Sequence, residues 1–514
     1  MPLAPFLCTL IALSTLSALQ ASAPSPAAPG PSAPAASGGL RLVTEVSFTA
    51  NLVHWVDNLA GTSVGKTMAV YRDHWADRFG PLDRADRQAL EQFARVRRAP
   101  VRTPAAVANH AGCLPIEEEV LSWHQILLAQ AMKASSIEAL AASLAAWIGP
   151  EDRQALAAAL LHFKPRFEKV WREMGHVRRF QRVFERFLGD SGLIPYLESL
   201  ARFFGVDAAA APPMTISLMA LPSNGPTHAE ADGDHLLVEI RPLDLPRNQI
   251  QVVAHEASHF LMRRMSPGRV DALARQAHAE GEAGSLVWRY MWEGLPTALG
   301  QGLAEARLSP ATFSTGARWY HLPQIDRFAK LAYPGVAEAV TSSAGIEAGI
   351  MGSLARAVRG SSLFTDARPA EFLMTAVSVS SAELRPSMDR LWARARVRPF
   401  AETALGDEGA AEMAALMQRY ECLGGVALVL PGQVREAAAL AGPGAVSSQL
   451  VEESLEKLGR GRGVILTTRR PGGGPLFLLA TPGAAEAERL VEAFLALRSL
   501  PSAPIEVGPA PPAR

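Results

Sequence analysis

The chain has 514 residues, 48% of them apolar and 19% charged, enough for two or more domains around a large buried core. Lys and Arg number 50, and so do Asp and Glu. The formal net charge is therefore zero, and no strongly basic face stands out that would make nucleic acid the main partner.

The chain opens "MPLAPFLCTLIALSTLSALQASA", an uncharged, Leu-rich run that ends in Ala21-Ser22-Ala23. This reads as a secretory signal over residues 1–23 with an A-x-A cleavage site, and it implies a secreted or periplasmic protein. An uncleaved N-terminal anchor is the alternative, although the run is slightly short to span a bilayer. Cleavage would leave no membrane span, and two cysteines, Cys113 and Cys422. They could form one disulfide or remain as two buried thiols. Residues 24–39, "PSPAAPGPSAPAASGG", form a Pro/Ala/Ser/Gly linker with nothing to bury.

Helical spacing dominates from there to about residue 205. It is seen in "RADRQALEQFARVRR", "SSIEALAASLAAWI" and "RFEKVWREMGHVRRFQRVFERFLG". Residues 40–150 read as an N-terminal helical region, and 151–360 as a domain built around the motif described below. "AGTSVGKT", Ala60 to Thr67, fits a relaxed phosphate-loop pattern. A working loop of that kind needs a buried strand before it, and the preceding "SFTANLVHWVDNLA" has helix-like spacing instead. A turn with a solvated Lys66 is expected. "PPMTISLMALPS" and "HLLVEIRP" then read as strands.

Directly after them comes "QVVAHEASHFLMRRM", with His255, Glu256 and His259 in the order H-E-x-x-H. On a helix, residues four apart share a face, so both imidazoles can reach one Zn2+ ion. Glu256 then sits beside them, where it can take a proton from water at the metal. Asp244 is the expected N-cap, with Pro246 in the first turn. Ile250, Val253, Ala257 and Phe260 or Leu261 form the core-facing stripe. Arg263 and Arg264 complement the C-terminal dipole, and Ser266-Pro267-Gly268 stops the helix.

A third ligand must come from further along. Met262 and Met265 occupy the positions where one branch of these sites needs glycine and histidine. His278, Glu280, Glu282 and Glu293 remain as candidates. Glu280 and Glu282 lie in a polar run and look like a solvated face. Glu293 lies between Trp292 and Leu295, where an unpartnered carboxylate is costly, and Gly294 with Pro296 marks an expected helix start beside it. A helix-start cap is the other reading of that carboxylate.

Further on, "GGVALVLP", "RGVILTTRR" and "GPLFLLATP" read as strands and "GAAEAERLVEAFLAL" as a helix packed on them. The expected divisions are a helical connector over 361–420, a small α/β module over 421–505 and a frayed tail over 506–514.

At these residues the chain resembles a gluzincin, a zinc peptidase with an HExxH helix and a downstream glutamate ligand. "HEASH" matches that motif in full, and "EGLPTAL" is similar to the E-G-x-A run of several branches, with Pro296 where alanine is usual. "HLLVEIRP" is similar to the edge strand that binds extended substrates in that fold. The resemblance covers about residues 190 to 310, and the gap from His259 to Glu293 is longer than in the compact members. It implies a predominantly helical α+β fold with a small sheet before the motif helix. It also implies His255, His259 and Glu293 as zinc ligands, Glu256 as general base and acid, and a peptide or protein substrate. Tyr290, Tyr320, His321 and Tyr333 are candidate donors to the reacting carbonyl, with Tyr320-His321 first among them. The alternative is a catalytically inactive zincin-like binding or scaffold protein of the cell envelope, which would have no need of Glu256.

Overall fold

The computed structural model describes residues 39–63, 65, 67–98, 112–115, 123–395, 399–442, 445–470 and 473–508. The leader segment 1–23, the linker up to residue 38, Lys66 and the tail from residue 509 lie outside the described residues. Helix accounts for 61% and strand for 12%, so the α+β expectation holds.

The first strand, β1 (Leu42–Glu45), precedes four helices, α1 (Phe48–Ala60), α2 (Met68–Phe79), α3 (Arg84–Arg98) and α4 (Trp123–Lys133). Ser47 caps α1 by accepting from the Ala50 N–H, and Gly61 ends it in the left-handed region at φ 73°. Nearly every side chain of α1 is buried, polar ones included, so it runs through the interior instead of lying on a surface. The long helical run expected to end at Gly189 breaks at Met174, giving helices Pro150–Glu173 and Gly175–Asp190.

β1 then joins β2 (Met214–Ala220), β3 (Ala229–Asp232) and β4 (His235–Ile240) in a sheet of order β1-β2-β4-β3. β2 pairs in parallel with β1 and β4, while β3 returns antiparallel to β4. This corrects one expectation: "HLLVEIRP" is β4, an inner strand buried along its whole length, and the edge beside it is the short β3, with β1 at the other edge. The reason is the hairpin at Gly233, φ 62°, which folds β3 back onto β4.

One apolar core draws on residues from Leu40 to Phe372, together with Cys422. The N-terminal helices therefore share the core of the motif-bearing helices instead of forming a region of their own. The motif helix itself is Ile250–Met262, followed by helices Pro267–Ala279 and Gly281–Thr297. Its expected stripe is buried, with Ile250, Val253, Ala257, Phe260 and Leu261 at 2% exposure or less.

A second sheet has the order β10-β8-β9-β7-β5-β6, formed by β5 (Ala376–Ser380), β6 (Ala401–Ala404), β7 (Gly424–Val429), β8 (Gly463–Arg469), β9 (Pro475–Ala480) and β10 (Ile505–Val507). β7, β8, β9 and the helix Ala484–Ala496 are the elements read from the sequence. The module nevertheless starts earlier than residue 421, because β5 and β6 come from the supposed helical connector. It also ends later, because residues 505–507 pair antiparallel with β8. Cys113 and Cys422 form a disulfide that ties the segment 112–115 to this module. Among the described residues, no helix is long and apolar enough to cross a membrane.

Candidate metal centre

The motif helix begins differently from the expectation. Asp244 does not cap it, because its carboxylate is held by Arg241 through Nη2 at 2.7 Å and Nε at 2.9 Å. A 3-10 turn over Pro246–Gln249 leads into Ile250 instead. Ser266 accepts from the Arg269 N–H and so starts the following helix.

His255 and His259 lie one turn apart with ring centroids 4.9 Å from each other, and their Nε2 atoms come within 3.2 Å. Glu293 reaches both: its Oε1 is 3.1 Å from His255 Nε2 and its Oε2 is 3.4 Å from His259 Nε2. Among the described residues this is the one group of three or more His, Cys, Asp or Glu that could hold a metal ion. Glu280 instead pairs with Arg359 at 2.8 Å, and Glu282 with Arg469 at 3.0 Å. Neither reaches the cluster.

Glu293 is not at a helix start. It sits inside Gly281–Thr297, whose course continues through Pro296 into a π-helical turn over Ala298–Ala304. Proline has no N–H to donate back along the helix, and a widened turn follows it here. The turn lies directly against the motif helix. A Cβ on Gly300 would stand 2.6 Å from the Gln251 carbonyl and 2.8 Å from His255 Cβ, closer than packed atoms approach. Glycine there lets the next residue, Gln301, place Oε1 3.2 Å from His255 Nδ1. An amide oxygen at that distance accepts a hydrogen bond from Nδ1–H, which keeps Nε2 as the ring nitrogen that faces the cluster. Gly294 plays a similar part on the far side, where a Cβ would meet the Phe328 ring at 2.2 Å.

The charges fit the same picture. Burial alone would lower the His255 pKa, but its hydrogen bond to the Glu293 carboxylate and the charges of Glu256 and Glu293 raise it to about 8. Burial opposes ionisation of Glu293 too, and its bonds to both imidazoles hold its carboxyl well below the usual range. Glu256 is 6% exposed. Burial pushes its carboxyl up, against the lowering charges of His255 and His259. Two imidazole nitrogens and a carboxylate that converge without intervening protein suit a borderline-soft dication such as Zn2+. The residues present therefore fit the expected metal.

Among the four candidate donors, Tyr320 bonds directly to the cluster. Its ring stacks on His255 at 6.3 Å with a 10° interplanar angle. Its hydroxyl bonds to Glu293, and burial together with that carboxylate keeps it protonated far above neutral pH. Asp326 fixes the turn by accepting from the Trp319 N–H at 2.6 Å and the Tyr320 N–H at 3.1 Å. His321 stacks on Tyr320 but is exposed. Tyr290 bonds instead to Glu371, and Tyr333 packs against Phe313 and Trp319.

Sequence reasoning missed a buried polar network behind the edge strand. Glu239, next to the end of β4, accepts from His54 Nε2 at 2.8 Å, Thr67 Oγ1 at 2.9 Å, Tyr71 OH at 2.8 Å and the His228 N–H at 2.8 Å. Glu230 on β3 accepts from His124 Nε2 at 2.8 Å. Asp57 accepts from Arg97 Nε at 2.8 Å and Thr62 Oγ1 at 2.6 Å. The loop that resembled a phosphate cradle thus uses Thr62 and Thr67 to seal this network. The one signal in the sequence was a glutamate inside the otherwise apolar "HLLVEI".

A stability prediction follows from Asp57. Burial would raise its carboxyl, but the hydrogen bond from His124 and the Arg97 charge outweigh it and hold the pKa at about 2. A depressed carboxylate contributes stability above its unfolded value and loses it as pH falls through the folded value. Between pH 4 and pH 2 the unfolding free energy should therefore drop by about 2 kcal/mol on account of this group alone. Denaturant titrations of the wild type and Asp57→Asn check it. The variant should start less stable and show a shallower acid slope.

Compared with known proteins, the chain matches no family model, no curated protein and no solved structure.

Proposed function

We propose that the chain is a zinc-dependent peptidase. The observation that carries the reading is the convergence of His255 Nε2, His259 Nε2 and the Glu293 carboxylate, with donor atoms within 4.8 Å of one another. Those three residues would hold the ion, leaving a position open. When bound, zinc would supply Lewis acidity that eases deprotonation of water and polarises the scissile carbonyl.

The chain's own residues supply the rest. Glu256 takes the proton of the attacking water and later hands it to the leaving amine, a double task suited to a carboxyl raised by burial. Gln301 fixes the tautomer of His255. Tyr320, a protonated hydroxyl that bonds Glu293, would donate to the oxygen of the reacting carbonyl. The partly buried start of the edge strand β3, at Ala229 and Glu230, offers main-chain groups to an extended peptide. A secreted or periplasmic site of action belongs to the same reading, since the Cys113–Cys422 disulfide suits an oxidising compartment.

The test is elemental analysis of the purified chain with quenched-peptide hydrolysis, before and after chelation. One zinc per chain and hydrolysis restored by added zinc are expected, whereas a chain that binds no zinc would end the reading. Glu293→Ala should lower zinc occupancy sharply, while Glu280→Ala should leave it unchanged. Retained zinc in the first variant would mean that another group is the third ligand.

A further inference from the structure

The edge strand β3 differs along its length. Its register pairs Ala229 with Val238, Glu230 with Leu237, Ala231 with Leu236 and Asp232 with His235. The Glu239 N–H donates to the His228 carbonyl at 3.1 Å, so the peptide groups of residues 228, 230 and 232 turn toward β4. Those of Ala229 and Ala231 therefore turn outward, to the side where a peptide would add.

The two outward positions are treated differently. The carbonyl of Ala231 is already taken, by Arg263 Nη1 at 2.6 Å and by Gln125 Nε2 at 3.3 Å. Arg263 comes from the C-terminal end of the motif helix and Gln125 from α4, so two separate elements close on one carbonyl. Ala231 is 3% exposed and Asp232 fully buried, whereas Ala229 and Glu230 are only partly buried. Among the described residues, nothing bonds the outward peptide groups of Ala229.

We propose that Arg263 and Gln125 form a stop at the end of the edge strand, so that a bound peptide engages β3 at Ala229 only. This rests on the peptidase reading above and deepens it by naming a substrate class. The substrate is a peptide cut close to one of its ends. Outward rungs recur every second residue, roughly 7 Å apart, so a peptide paired at Ala229 has room for about one further residue before the stop. Arg263 is suited to the part. Its guanidinium bonds a neutral carbonyl in a partly buried position, and a fixed cation there also repels a chain whose α-amino group arrives next to it. The stop acts by excluding length, not by contacting the reacting atoms.

The test uses the full zinc-loaded chain and peptides of one repeating composition, four to sixteen residues long, with products mapped by mass spectrometry. The wild type should cut at a fixed short distance from one end whatever the length. The double variant Arg263→Ala with Gln125→Ala should gain internal cuts in the long peptides, with kcat/KM for these rising at least tenfold. For the shortest peptides it should stay within twofold. If that variant fails to fold, Gln125→Ala alone and Arg263→Lys should move the cut sites in the same direction. Internal cleavage of long peptides by the wild type would overturn the proposal, and so would an unchanged cut pattern in folded variants. Peptide binding to the Glu256→Gln protein provides a readout without turnover. Its affinity should level off at short lengths in the wild-type background and keep rising with length once the stop is removed. Failure of the underlying peptidase reading would look different: a chain without zinc that cuts no peptide of any length, which removes the proposal with it.

Discussion

Glu256→Gln should keep its zinc and lose peptide hydrolysis by about 10²- to 10⁴-fold, the range expected when a positioned acid–base group is removed. Glutamine keeps the shape of glutamate but cannot accept a proton, so the fold and the packing of His255, His259 and Glu293 should persist. Glu256 is 6% exposed and shares its helix with both imidazoles. Its carboxyl is lifted by burial and lowered by His255 and His259, a balance that any bound dication would shift further toward the anion. The anion is the form needed to take a proton, and the raised starting value is what lets it give the proton back. Rates measured with zinc content on the same samples separate the cases. A wild type and variant that are equally inert, both with full zinc, would favour the binding or scaffold reading. A fall in kcat with KM held would place the loss at the chemical step.

The motif helix was legible in the sequence because its information is local: two histidines four apart, a stripe of apolar residues and a strand just ahead. Glu293 was legible for a related reason, since a carboxylate between Trp292 and Leu295 needs a partner. Its setting was misread. Gly294 and Pro296 look like a helix start, yet Gly294 is there to admit Phe328, and Pro296 leads into the π-helical turn that brings Gln301 to His255. Neither contact has a local signature.

The edge strand was missed because "AEAD" is only four residues long and alternates alanine with acids, residue types of low strand propensity. Its acidic side chains belong inside only by virtue of distant partners, such as His124, which is 106 residues away from Glu230. For the same reason the first four helices looked like a separate region. They share one apolar core with the motif-bearing helices, and buried polar contacts from His54, Thr67, Tyr71 and His124 also tie them to β3 and β4, long-range links invisible to a periodicity count. In the second sheet β5 escaped notice because "AVSVS" carries serines. Ser378 is buried all the same, accepting from Trp392 Nε1 at 3.0 Å.

Reduction of the Cys113–Cys422 disulfide should lower stability by about 5 kcal/mol in the chain-entropy account, which grows with the length of the closed loop. Here the cysteines are 309 residues apart, so the bridge constrains most of the unfolded chain. The folded side already brings the two segments together without it. The Cys422 N–H donates to the Cys113 carbonyl at 2.8 Å, the Glu421 N–H donates to the Gly112 carbonyl at 3.1 Å, and Gly112 bridges to Tyr420. Asp271 accepts from the Cys113 N–H at 3.0 Å and pairs with Arg275, which also reaches Glu421. The segment is thus pinned between the helix after the motif helix and the α/β module, and the bridge locks a junction that hydrogen bonds have already aligned. Cys113→Ala with Cys422→Ala should therefore fold, with a melting temperature lower by about 5 °C for a chain of this size. Comparing it with the oxidised wild type, and with the wild type under reductant, checks both numbers. A reduced wild type that melts like the oxidised one would mean that the hydrogen bonds and the Asp271 contact hold the junction alone. Zinc content should be the same in all three, because His255, His259 and Glu293 lie on helices that do not carry the bridge.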